Sequence, residues 1–368
     1  MEAQRQVPPV ATSSDPFAHT GAGGLPALRV SVIVPMLDEL GAIDACLDAF
    51  AAQSYPHELL EILVVDGGST DGSRQLVEAR AAVEPWIRIV ENEERRASAA
   101  FNRGAEAATG EVICLFSAHG VADPHYVEAS VRALIETDAD GVGGRYLHEG
   151  FDPTSNAIGL AMVSPVGMAS PHRFAKRRKE VDTISHPAYR RDSLKRVGRF
   201  DERLQRNSDY ELNHRMLELG MRLVFDPEVC SIYRPRRSLA ALGRQFWWYG
   251  RWKERVVRRH PRSLRLRHLV PPAAVLGSAA APLLALHPAG RRVVAVAGVG
   301  YLAVIAAGVD IAEPRSHGAS PVVLALCFPV MHACWGAGFV LSLVEDTVSQ
   351  FIGRGAATPD HNTEDGGS

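Results

Sequence analysis

The side chains best suited to chemistry stand at the ends of apolar runs. In "VVDGGSTDGS", residues 64–73, a carboxylate closes a β-branched run and small residues follow it. At that place Asp66 can accept hydrogen bonds from a nucleobase or a ribose, and the Gly and Ser residues behind it let a ligand approach the backbone. Asp71 has the spacing of a cap on the next helix, and a Ser/Gly-lined helix start favours phosphate. Taken alone, Asp66 also reads as an ordinary turn aspartate. A second carboxylate, Asp209, opens the helical pattern "DYELNHRMLELG" (209–220), where it suits either a helix cap or a general base. His119 closes a later apolar run and is either a metal ligand or a loop histidine that binds nothing.

Elements of regular length must carry these groups. "VSVIVP" (30–35), "EILVVD" (61–66), "WIRIVE" (86–91) and "EVICLFS" (111–117) are apolar runs of the kind buried on both faces of a sheet. Helical patterns lie between them, over about 41–53, from 74, and over 98–108. Strand and helix alternating at short spacing predict an open α/β sheet flanked by helices. Ligands then lie beyond the carboxyl ends of the strands, so residues 35–39, 66–73, 91–98 and 117–119 are expected to converge on one crevice.

Composition divides the chain. Among 368 residues, 46 % are hydrophobic and 22 % charged, which excludes a disordered or collagen-like class. The net charge of -2 argues against a nucleic-acid partner. Cys46, Cys114, Cys230, Cys327 and Cys334 have no paired spacing and read as buried thiols. Residues 1–28 lack periodicity and contain no basic start followed by an apolar core, so no cleavable signal peptide is expected. Between Arg234 and Arg267 stand twelve Arg and Lys against one acid, Glu254, with "QFWWYGRW" (245–252) among them. That mixture fits an anionic membrane surface. Three uncharged stretches follow, 269–286, 293–309 and 321–344, each a candidate membrane helix.

The motifs in their order, "SVIVPMLDE", "VVDGGSTDGS", "ASAAFNRGAEAATGEVICLFSAH", "HPAYRRDSLKRVGRFDERLQRNSDYELNHRM" and "QFWWYGRW", resemble the family 2 glycosyltransferases over about residues 30–255. Within that family the likeness is to the membrane-bound branch of bacterial exopolysaccharide synthesis. The resemblance implies a nucleotide-diphospho-sugar transferase fold (GT-A type, an open mixed sheet flanked by helices) followed by a C-terminal membrane helix region. It implies donor-site roles for Pro35, Glu39, Asp66, Asn102, Gly104, Ser117 and His119, and the base role for Asp209. The family's Asp-x-Asp metal motif falls on Ser117-Ala118-His119, so a divalent metal, Mn2+ or Mg2+, is implied with His119 as its ligand and Ser117 in place of a carboxylate. Gly67 replaces the second acid of the usual "DDGS" loop. Gln245, Arg251 and Trp252 loosely match an acceptor-side "Q-x-x-R-W", and His186 and Arg190 are expected beside them.

The expected organisation is a tail at 1–28, a catalytic unit at 29–233, a basic aromatic interface segment at 234–268, about three membrane helices at 269–345 and a polar tail at 346–368. The implied activity is inverting transfer of a sugar from a nucleotide-diphosphate donor to a lipid-linked or polysaccharide acceptor. The implied place is the cytoplasmic face of a bacterial inner membrane, within a polysaccharide-synthesis complex. Transfer to polyprenyl phosphate and a catalytically impaired scaffold are the alternatives; the Ser117 and Gly67 departures favour the scaffold and Asp209 opposes it. A nucleotide-binding membrane module without sugar chemistry lacks a Walker lysine or a GxGxxG loop.

Overall fold

The computed structural model describes residues 27–167 and 175–352. Most of the expected N-terminal tail, and the C-terminal tail beyond 352, lie outside the described residues.

Four parallel strands form one half of the sheet: β1 (Val30–Met36), β2 (Leu60–Asp66), β3 (Ile87–Glu91) and β4 (Val112–Leu115), in the order β3-β2-β1-β4. Their crossovers are α1 (Ile43–Ala51), α2 (Ser73–Val83) and α3 (Ala97–Ala107). β1, β2 and β4 read as unbroken apolar runs because helices cover both faces. Val32, Val34, Ile62 and Val64 pack on one face with Ile43, Leu47 and Phe50. Ile33, Leu63, Val65 and Ile113 pack on the other with Ala100 and Leu212. The period of two divides each strand between the two cores.

Beyond β4 the sheet becomes mixed. β5 (Gly120–Ala122), β6 (Gly141–His148), β7 (Lys179–Glu180), β8 (Ala188–Arg190) and β9 (Leu223–Tyr233) complete the order β3-β2-β1-β4-β8-β6-β9-β5, with β7 on β9. β8 runs antiparallel to β4 and β6, while β6 and β9 are parallel. Flanking helices are α4 (Tyr126–Thr137), α5 (Pro153–Val163), α6 (Arg191–Val197) and α7 (Ser208–Glu218). This is the open mixed sheet the resemblance implied.

The C-terminal third is helical: α8 (Leu239–Arg259), α9 (Leu266–Leu284), α10 (Pro288–Ile311) and α11 (Pro321–Ile352). The basic segment forms α8, which lies along α11 and buries Leu242, Phe246, Trp252 and Val256. Two glycines set that approach. A Cβ at Gly250 would stand 2.0 Å from the Trp335 carbonyl oxygen, and one at Gly338 would stand 2.3 Å from that of Trp247.

Two helices, Pro288–Ile311 and Pro321–Val348, are long and apolar enough to cross a membrane. α9, the helix of the first uncharged stretch, is shorter: its 19 residues include Pro271, Pro272 and Pro282 and carry Arg267 and His268 in the first turn. On α10, Val293, Val296, Val299 and Leu302 are 62–73 % exposed, an apolar flank without a protein partner among the described residues.

Candidate active site

The carboxyl ends of β1, β2 and β4 open on one cleft of about 1270 Å³. Pro35 and Glu39 line it from the end of β1, Gly67 from the end of β2, and Ser117 and His119 from the loop after β4. Asp209 lines it from the first turn of α7, so the strand ends and the expected base share one cavity.

Hydrogen bonds lace the first two loops together. Asp38 Oδ1 accepts from the Thr70 amide at 2.7 Å, and Ser69 Oγ accepts from the Asp38 amide at 3.0 Å. Asp71 accepts from the Leu40 amide at 2.9 Å and from the Ser73 amide at 3.0 Å. Gly72, not Asp71, takes the N-cap position of α2, and Asp71 braces that helix start from one residue before it and ties it to the loop after β1. The hydrogen bond from Ser73 Oγ holds its carboxyl below the usual range.

His119 Nδ1 lies 3.3 Å from Glu39 Oε1. Their side chains are 52 % and 28 % exposed, so both reach the cavity. Sequence reasoning gave them separate roles; the structure pairs them. An imidazole nitrogen and a carboxylate at this separation are a donor set suited to a divalent cation such as Mn2+. Glu39 is thus a carboxylate in direct contact with His119 at this end of the cavity.

Asp209 does not cap its helix. Asn207 takes the N-cap position at φ 61°, and no side chain caps α7. Asp209 Oδ1 accepts from the Tyr210 amide at 2.8 Å. Burial and then the Asp209 charge hold the Tyr189 phenol well above its usual range. Asn207 Nδ2 donates to the Tyr249 carbonyl at 3.3 Å, tying the start of α7 to α8.

Several expected residues are elsewhere. The Asp66 carboxylate is fully buried and off the cavity; it accepts from the Ser69 amide at 3.1 Å and from Ser69 Oγ at 2.6 Å, with Arg74 at 3.4 Å. It closes the turn that lets Gly67 line the cavity. Asn102 donates to the Phe200 carbonyl at 3.1 Å and accepts from the Phe200 amide at 2.8 Å. A Cβ at Gly104 would stand 2.3 Å from Ile33 Cγ2. Both residues fix α3 against its neighbours and do not reach the cavity. Arg190 is also away from it, donating to the Ala139 and Leu134 carbonyls at 2.9 and 2.8 Å and so fastening β8 to the end of α4. His186 does line the cavity, with its ring 4.2 Å from that of Phe116 and Nδ1 2.8 Å from Ser231 Oγ.

The "QFWWYGRW" match selected the wrong face of α8. Gln245, Arg251 and Trp252 do not line the cavity; Phe246, Tyr249 and Lys253 do. Arg251 pairs with Glu345 of α11. Trp252 packs with Leu204 and Val256. Gln245 acts at one remove, donating to the Tyr249 hydroxyl at 2.8 Å. Spacings of three and four residues mark 246, 249 and 253 as one stripe, a signal that was available in the sequence. Arg95 and Arg96 line the cavity from within the 91–98 stretch expected there, while Arg267 and His268 are cavity residues the sequence did not single out.

The glycosyl transferase family 2 model matches residues 31–198. The succinoglycan biosynthesis protein ExoA of Rhizobium meliloti (strain 1021) is 30 % identical over 317 residues, 85 % of this chain and 94 % of that protein. The chain is a family 2 glycosyltransferase. Another relative of this glycosyltransferase, 26 % identical over 62 % of this chain and 74 % of its own, is the dolichyl N-acetyl-alpha-D-glucosaminyl phosphate 3-beta-D-2,3-diacetamido-2,3-dideoxy-beta-D-glucuronosyltransferase of Methanococcus voltae. The mannosyltransferase PcManGT of Pyrobaculum calidifontis, solved with GDP-Man and Mn2+, superposes with a TM-score of 0.59 at 20 % identity, over 86 % of this chain and 88 % of that one. That likeness confirms the fold.

Proposed function

We propose that this glycosyltransferase moves a sugar from a nucleotide-diphosphate donor to a lipid-linked or growing polysaccharide acceptor, with inversion, at the cytoplasmic face of a bacterial inner membrane. The observation that carries the reading is one cavity with Asp209 on its wall, bounded by strand ends on one side and by the apolar helices α9, α10 and α11 on the other. Two relatives' names support the acceptor class: one acts in succinoglycan biosynthesis and the other on a dolichyl-linked sugar phosphate. The proposed units are a catalytic part to Tyr233, α8 as a basic collar, and the helices beyond as the membrane-associated part.

Donor binding falls to the strand ends. Gly67 leaves room for the nucleoside beside Pro35, and Arg95 and Arg96 stand on the same wall where a diphosphate needs countercharge. His119 and Glu39 would hold a divalent metal, which when bound supplies charge neutralisation for the departing diphosphate. Asp209 accepts the proton of the acceptor hydroxyl as that oxygen bonds to the anomeric carbon. The bond from that carbon to the diphosphate oxygen breaks on the opposite face, and its electron pair leaves with the nucleoside diphosphate. One carboxylate suffices for this in-line step.

Nucleotide release by the purified protein in detergent, across a donor panel with added acceptor, tests the reading. D209N should lower transfer by about 10²–10⁴-fold with donor binding intact. Undiminished turnover would remove Asp209 from the role, and no release with any donor would favour the scaffold alternative.

A further inference from the structure

Lys253 is a buried amine without a counter-ion in contact among the described residues. It is 5 % exposed. Its Nζ has no hydrogen-bond partner among the described residues and lies 3.1 Å from the centroid of the Tyr210 ring. Arg267 and His268 line the same cavity, and Arg265 adds positive charge nearby. The facing acids are Asp182, which accepts from Arg267 at 2.7 Å, and Asp209. Burial and then Arg267 push the Lys253 ammonium down to about 6. A protonated amine so placed is costly until an anion enters the cavity beside it.

The surroundings identify the anion. On one side Tyr210 links Lys253 to Asp209. On the other, Pro271, Val304, Met331 and Trp335 extend the same cavity between α9, α10 and α11 as an apolar lane. The His268 ring stacks on Trp335, 6.3 Å between centroids and 29° between planes, at the junction. A charged group held there has a reacting carboxylate ahead of it and hydrocarbon behind it. That order matches a sugar, a phosphate and a lipid chain joined in sequence.

We propose that Lys253 and Arg267 form an anion subsite for the phosphate or diphosphate of a lipid-linked acceptor, whose hydrocarbon chain lies along the lane between α9, α10 and α11. The inference rests on the glycosyl-transfer reading above and names the acceptor's contact within it. Lys253 is a positioning residue: it holds the carrier's charge so that the acceptor hydroxyl meets Asp209. The donor's diphosphate offers the same chemistry, so the test must separate the two sources.

Binding to the full-length protein in detergent micelles, read without turnover, does so. The probes are a long-chain polyprenyl phosphate, the matching uncharged polyprenol, and UDP and GDP. The wild-type protein should bind the phosphate at least about tenfold tighter than the polyprenol, the strength expected of a charge-assisted contact. K253M and K253Q should each lose most of that preference and keep wild-type affinity for whichever nucleotide binds, which also certifies their fold. No preference in the wild type, or an unchanged preference in both variants, overturns the proposal. Loss of nucleotide binding in place of the lipid preference assigns the subsite to the donor and also overturns it. Because transfer is not measured, a failed D209N result leaves this outcome unaffected, and a failed binding result leaves Asp209 in place.

Discussion

The two walls of the cavity are built by different rules. The strand-end wall places its side chains by topology: wherever β1, β2 and β4 stop, the next few residues arrive at the cleft. The helical wall places them by phase. On α8 a residue at 249 lines the cavity while one at 251 faces α11. Short motifs therefore locate the first wall well and the second poorly.

Breaking the strand-end wall should have the larger effect on chemistry. H119A and E39Q should each raise the metal concentration needed for half-maximal transfer by about ten- to a hundredfold. A metal titration of nucleotide release checks this, and S117D, which adds a carboxylate to the same loop, should move the midpoint the other way. Equal midpoints in all three would dissolve the His119–Glu39 pair as a site. Next in size is a packing effect behind that wall. G104V drives new methyl groups into Ile33 and should cost about 1–3 kcal/mol of stability, read as a lowered denaturation midpoint.

On the helical wall the effects are smaller and of a different kind. The unfolded chain binds the Lys253 proton more tightly than the folded one between about pH 6 and the ordinary lysine range. Stability of the unliganded protein should therefore rise with pH through roughly 7–8.5, and K253M should flatten that rise. Equilibrium unfolding at a series of pH values measures it. Smallest in its effect on transfer is R251A, which removes an ion pair between α8 and Glu345 of α11 whose arginine is largely buried. It should cost about 1–3 kcal/mol of stability and leave the acceptor KM unchanged. A large rise in KM would return Arg251 to the cavity and undo the contrast drawn on α8.

The same contrast explains what the sequence disclosed. The alternation of strand and helix and the crevice were legible because β-branched runs end at polar loops, and the place of Asp209 on the cavity wall was legible from the motif around it. Asp66, Asn102 and Arg190 were misplaced because hydrogen-bond partners distant in sequence decide their direction. The Asn102 partner is Phe200, and Arg190 turns to Leu134 and Ala139. The His119–Glu39 pair joins two loops that are far apart along the chain, so no local pattern reports it. α9 is a weaker candidate span than α10 and α11 because its prolines and basic start weigh against its lack of charge after residue 268.

The configuration of the new glycosidic bond tests Asp209 as the single base most directly. Proton NMR of the product from a donor of known anomeric configuration should show the opposite configuration at the transferred sugar. Retention of the donor's configuration would require a second displacement and would contradict the account.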